Sequence, residues 1–125
     1  MKILVVVEDD LDIQLLVQTV FSRDKRFSVL SGAESAEQGL ELAHSMDPGL
    51  IVLDHGLTGQ LTGLQAAPRF KVVAPQAKII LFTAHDVLRI PAEAEPAIDA
   101  FLLKTEVGKL LALGQRLSGL GPALR

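Results

Sequence analysis

Three short runs of uninterrupted apolar residues, Ile3–Val7, Leu50–Leu53 and Ile79–Phe82, constrain the fold more than any other feature of the chain. A strand with one wet face alternates apolar and polar side chains, so a strand apolar throughout must be covered on both faces. Two shorter runs, Phe27–Leu30 and Phe101–Leu103, bring the number to five. The stretches between them carry the period of a helix. Ile13, Leu16, Val17, Val20 and Phe21 fall at i, i+3, i+4, i+7 and i+8, a single stripe. Ala36, Gly39, Leu40 and Ala43 repeat that spacing behind Ser35 and Gln38, which suit a capping box. Val107, Leu110 and Leu111 open a last helix, with Thr105 as its expected N-cap.

Strands alternating with helices imply a parallel sheet wrapped by helices on both sides. Five such units in 125 residues predict an α/β, flavodoxin-like doubly wound (βα)5 fold with strand order 2-1-3-4-5. No linker or repeat interrupts the chain, so residues 1–125 read as one domain. Two stretches fit less well. Pro68 falls inside the third helical region, which should therefore start late or kink. Pro91 and Pro96 fall in the fourth, which should be short or irregular.

Bulk properties exclude several classes of function. A net charge of −3 and a pI near 5.5 argue against a nucleic-acid-binding face. With no cysteine there is no disulfide framework, thiolate metal site or cysteine nucleophile. No apolar run approaches membrane-spanning length and no signal-peptide core is present, so the expectation is a cytoplasmic protein that meets neither membrane nor nucleic acid directly. Neither a G-x-x-x-x-G-K loop nor a G-x-S-x-G elbow occurs.

In open α/β sheets, ligands bind beyond the carboxyl ends of the strands. The first strand here ends in Glu8-Asp9-Asp10, the third in Asp54, the fourth in Thr83-Ala84 and the fifth in Lys104. In the expected strand order those four tips converge. Taken singly, an acidic triplet is a solvated helix start, an aspartate a cap, a threonine structural and a lysine a surface charge. Taken together, three carboxylates, a hydroxyl and an ammonium suit Mg²⁺-assisted phosphoryl transfer to an aspartate.

In the order and separation of these segments, the chain resembles the receiver domains of bacterial two-component response regulators. The residues that carry the resemblance are Ile3–Asp10, Leu50–Asp54, Ile79–His85 and Ala100–Lys104. It implies Asp54 as phosphoacceptor, with Mg²⁺ held by Glu8, Asp9, Asp54 and the main-chain carbonyl of Gly56. It further implies that Thr83, Ala84 and Lys104 bind the phosphoryl group, and that Thr83 and Phe101 form the switch. The donor would be a histidine kinase, a phosphotransfer protein or a small phosphodonor, the reader an output protein, and a homodimer is among the expected assemblies. No catalysis is implied beyond self-directed phosphotransfer and autodephosphorylation.

Three departures from that family pattern stand out. Thr58 replaces the usual proline four residues after Asp54, and Gly63 comes about one residue late, so the loop is longer and glycine-rich. Thr105 follows Lys104 where a cis proline bond is usual. A non-proline cis bond costs about 3 kcal/mol, so either a trans bond with a shifted Lys104 or a strained cis bond is expected. These changes motivate an alternative, a receiver-like interaction module that takes no phosphate. A phosphatase with an aspartyl intermediate fits poorly, since Gly56 stands where its second acid belongs. His55 and His85 flank the acceptor, read as surface histidines or as groups that tune phosphoryl lifetime, and His44 reads as a helix C-terminal partner.

Overall fold

A computed structural model of the chain describes residues 2–29 and 32–122. Its strands are β1 (Lys2–Val7), β2 (Phe27–Val29), β3 (Leu50–Leu53), β4 (Lys78–Thr83) and β5 (Ala100–Leu103), all parallel in the order β2-β1-β3-β4-β5. The helices are α1 (Leu11–Ser22), α2 (Ala36–Met46), α3 (Gly63–Val73), α4 (Arg89–Ala94) and α5 (Leu110–Leu117). The expected architecture and strand order are those observed. Leu30, assigned to the second strand on sequence, lies outside the described residues.

The continuous apolar strands are double-sided as their composition requires. Val5, Val7, Ile51, Leu53, Ile79 and Leu81 face α2, α3 and α4, packing with Ala36, Ala43, Ala66, Ala67, Phe70 and Ala92. Leu4, Val6, Val52, Ile80 and Phe82 face the other way, toward Val17 and Phe21 of α1 and Leu110 of α5. Buried aliphatic side chains contribute roughly 1.5–3 kcal/mol each relative to exposure, so these two layers dominate the stability of the sheet.

Several local expectations need correction. Leu16 lies 39% exposed, off the buried stripe of α1, while Gln14 is buried in its place. Ser35 does cap α2, its Oγ accepting from the Gln38 N–H at 3.2 Å. Gln38, however, reaches one residue further back and accepts from Glu34 N–H. The complete capping box belongs to α3, where Thr62 and Gln65 exchange bonds at 3.2 and 3.0 Å. Thr105 caps nothing, because a 3₁₀ stretch over Lys104–Lys109 precedes α5. His44 does sit in the last turn of α2.

Two of the three helix-region prolines act as their chemistry dictates. Pro68 does not delay its helix: α3 starts at Gly63 and runs through Pro68 as its sixth residue. Pro91 lies in the first turn of α4, where a missing N–H costs little, and Pro96 follows Glu95, whose extended backbone (φ −95°, ψ 110°) ends the helix. The result is a six-residue helix led in by a 3₁₀ turn over Asp86–Leu88.

One polar network ties the turn after α1 to α5. Asp24, 2% exposed, accepts from Arg26 Nε at 3.0 Å, Arg26 Nη2 at 2.8 Å and Gln115 Nε2 at 3.0 Å. The Arg26 guanidinium and backbone N–H hold the Asp24 carboxyl well below the usual carboxylate range. A carboxyl whose folded pKa is depressed stabilises the fold above its unfolded pKa, near 3.9, and that contribution is lost as pH falls below it. Urea unfolding at pH 6 and pH 2.5 should therefore show a smaller pH-dependent loss in Asp24→Asn than in wild type. Equal losses in the two proteins would contradict this assignment.

Candidate functional site

The carboxyl ends of β1, β3, β4 and β5 place the candidate residues. Val7 pairs with Leu53, and the Asp54 N–H continues the ladder to the Val7 carbonyl at 2.9 Å, so Glu8 and Asp54 leave adjacent strands side by side. The backbone at Glu8 is fixed twice: its N–H donates to the Ala33 carbonyl at 2.8 Å, and the buried Gln14 amide donates to the carbonyls of both Glu8 and Ala33. Asp10 turns away from the cluster and caps α1, accepting from Asp12 N–H at 2.9 Å.

Carboxylate oxygens of Glu8, Asp9 and Asp54 all lie within 4.8 Å of one another. Glu8 and Asp54 are buried, at 3% and 7% exposure. Lys104 bridges them, with Nζ 2.7 Å from Glu8 Oε1 and 3.2 Å from Asp54 Oδ2. No described peptide bond is cis, so the Lys104–Thr105 bond takes the trans alternative, and Lys104 reaches both carboxylates all the same.

Burial pushes the Glu8 carboxyl up to about 7; the Lys104 hydrogen bond opposes this and the Asp54 charge adds to it. Burial alone would lower the Lys104 ammonium, but the hydrogen bond to Glu8 and the charge of Asp54 outweigh it and raise it. An all-oxygen donor set with one cation inside is what a hard divalent ion fits, provided it can compete with the lysine.

Thr83 is fully buried at the end of β4, and its Oγ1 accepts from the His85 N–H at 3.3 Å, leaving its own proton free to donate elsewhere. Leu81 pairs with Phe101, and Thr83 with Leu103. Phe101 packs with the same core layer as Leu81, so ring and hydroxyl share one face of the sheet, two residues apart along the strands. The Arg89 guanidinium of α4 stacks 4.6 Å from the Phe101 ring centre. Ala84 and Gly56 are exposed.

His55 and His85 are unlike one another. His85 is exposed, whereas the His55 Nδ1 is buried without a protein hydrogen-bond partner. Burial lowers the His55 pKa, with the Asp54 charge opposing and His85 adding to the drop. A hollow of about 490 Å³ lined by Lys2, Pro48, Gln76 and Lys78 lies at the opposite, amino ends of the strands and gathers no comparable chemistry.

Residues 4–113 match the family described as the response regulator receiver domain. The chain belongs to that family. The nitrate/nitrite response regulator NarL of Escherichia coli K12 is 32% identical over 90 residues, covering 70% of this chain and 41% of NarL. The response regulator VraR of Staphylococcus aureus is 24% identical over 119 residues, covering 94% of this chain and 56% of VraR. The chain thus spans about half the length of these two relatives. Among solved structures, the response regulator TrrA of Thermotoga maritima, in complex with Mg²⁺-BeF, superposes with a TM-score of 0.82 at 27% identity, covering 94% of this chain and 99% of TrrA. This receiver domain is therefore a two-component signalling domain by family. Among the described residues, no helix is long and apolar enough to cross a membrane.

Proposed function

We propose that this receiver domain accepts a phosphoryl group on Asp54 with Mg²⁺ bound, taken from a histidine kinase, a phosphotransfer protein or a small phosphodonor, and that the adduct changes its affinity for an output protein. The observation that carries the reading is the single pocket in which Lys104 Nζ stands 2.7 Å from Glu8 and 3.2 Å from Asp54, with Asp9 oxygen within reach of both acids. Glu8, Asp9, Asp54 and the Gly56 carbonyl would hold the Mg²⁺. When bound, the ion screens the repulsion between an anionic nucleophile and an anionic donor. The presence of Mg²⁺-BeF in TrrA supports the same assignment here.

An Asp54 oxygen attacks phosphorus, and the bond to the donor's leaving group breaks. Lys104, already against Asp54, neutralises a phosphoryl oxygen, and Thr83 donates its free hydroxyl proton to another. That bond fixes the Thr83 hydroxyl on the sheet face it shares with Phe101. The phosphoryl group thus favours one of two conformations through contacts that exist only in that one.

Intact-mass measurement after incubation with acetyl phosphate and Mg²⁺ should show one phosphoryl adduct in wild type and none in Asp54→Asn. Wild type without an adduct under those conditions would sink the proposal. A second reading, partner binding independent of phosphate, draws on Lys104 already occupying the acidic oxygens and on the lengthened loop after Asp54. It predicts partner affinity unchanged by Asp54→Asn or by beryllofluoride.

A further inference from the structure

The loop from His55 to Thr62 is held at both of its ends. At its base, the His55 carbonyl accepts from the N–H groups of Leu57 at 3.1 Å and Gly63 at 3.0 Å. At its far side it lies on the amino end of α2. Ser35 and Thr58 form a parallel bridge, and the Thr58 hydroxyl donates to the Glu34 carbonyl at 3.0 Å. The Gln60 N–H donates to Glu37 Oε1 at 3.3 Å. Gly59, with φ of 93°, brings the backbone so close that an added Cβ would stand 2.7 Å from Glu37 Oε2. Between these fixings, Leu57 and Leu61 pack on the core, while Gly56 is exposed and a Cβ there would meet nothing within 4 Å.

We propose that Glu37 is a positioning residue for the candidate metal site, clamping the Gly59-Gln60 turn so that the Gly56 carbonyl is presented to Glu8, Asp9 and Asp54. The inference rests on the Mg²⁺ assignment under Proposed function and names a residue that does not touch the ion. A loop with three glycines over Gly56–Gly63 samples many backbone states, and fixing one carbonyl in it costs conformational entropy. The two fixings meet that cost before any ion arrives, the general way outer groups raise the affinity of a metal site. By reciprocity, the bound ion must tighten the clamp by the same factor.

The experiment is an NMR-detected Mg²⁺ titration of wild type, Glu37→Ala, Glu37→Gln and Thr58→Val, with thermal melts and amide exchange of Gln60 in Mg²⁺-free protein. Glu37→Ala is expected to weaken Mg²⁺ by about tenfold, the low end of outer-shell effects, while its Mg²⁺-free melting stays near wild type. Its Gln60 amide should exchange faster. Glu37→Gln keeps the acceptor oxygen and should bind like wild type, and Thr58→Val should weaken binding by about threefold, one neutral hydrogen bond's worth. Equal affinity in Glu37→Ala and wild type would overturn the clamp and leave the metal site standing. Glu37→Gln as weak as Glu37→Ala would overturn it too, by showing that the distant charge acts rather than the hydrogen bond. A wild type that takes no Mg²⁺ would remove the Proposed function itself, and the clamp with it.

Discussion

Gly63→Ala is expected to cost about 3 kcal/mol of stability, near the upper end of overpacking effects, and to abolish phosphoryl uptake at Asp54. A Cβ at Gly63 would stand 2.1 Å from the backbone oxygen of Asp54 and 3.0 Å from His55 Cα. Those are main-chain atoms, so no rotamer change relieves the clash. Gly63 is also the first residue of α3, held by Thr62 as N-cap and by its own N–H to the His55 carbonyl. The helix cannot retreat without breaking these bonds, and the strand end cannot retreat without losing the Asp54 N–H bond to Val7. Strain is therefore delivered to Asp54 itself, the proposed acceptor. Urea midpoints and acetyl phosphate labelling measure the two effects. A variant within about 1 kcal/mol of wild type that still labels at the wild-type rate would contradict this account; changes under that size are ordinary for tolerated core substitutions.

Gly63 also shows what could and could not be read from residue order. The continuous runs at β1, β3 and β4 betray their double burial, because no other strand environment tolerates them, and strand order then gathers Glu8, Asp54, Thr83 and Lys104. What composition hides is contact between distant backbones. Nothing in the period of α1 marks Gln14 as buried in place of Leu16, since its role is to serve two carbonyls that meet only after β1 and the following loop are in place. The same holds for Asp24, whose partner Gln115 is 91 residues away. The clamp from Glu37 to Gln60 depends on a left-handed Gly59, and three glycines in a row of eight residues do not say which of them turns. By contrast Pro91 and Pro96 declared a short fourth helix outright, because ring geometry acts locally.

The Thr62-Gly63-Leu64-Gln65 box was legible in principle, as it has the T-x-x-Q spacing of a helix start. Pro68 in the same stretch points the other way, toward a late start or a kink. Gln38 shows the converse, a correct spacing whose second half bonds to Glu34 instead of to the cap residue. Capping patterns fix where a helix begins more securely than they fix which amide the return bond finds.

Lys104→Met should change two properties in opposite directions. In Mg²⁺-free protein, removing the ammonium leaves the buried Glu8 and Asp54 facing each other without a cation, and breaking one side of such a pair costs roughly 3 kcal/mol. Part of that is relieved as Glu8, already raised to about 7 chiefly by burial, takes up a proton. Mg²⁺ no longer competes with Lys104 for the same oxygens, so its affinity should rise by about tenfold, equivalent to about 1.4 kcal/mol. Binding that strengthens while stability falls makes melting more steeply Mg²⁺-dependent than in wild type, and saturating ion should narrow the gap by about 1.4 kcal/mol, the tenfold affinity gain. Labelling by acetyl phosphate should nevertheless drop by at least about tenfold, because the cation proposed to neutralise a phosphoryl oxygen is gone. Thermal melts with and without Mg²⁺, together with initial labelling rates, separate these terms. If Lys104→Met bound Mg²⁺ more weakly than wild type, the lysine would be supporting the acidic cluster rather than competing within it, and the assignment of Glu8 and Asp54 oxygens to the ion would have to be abandoned.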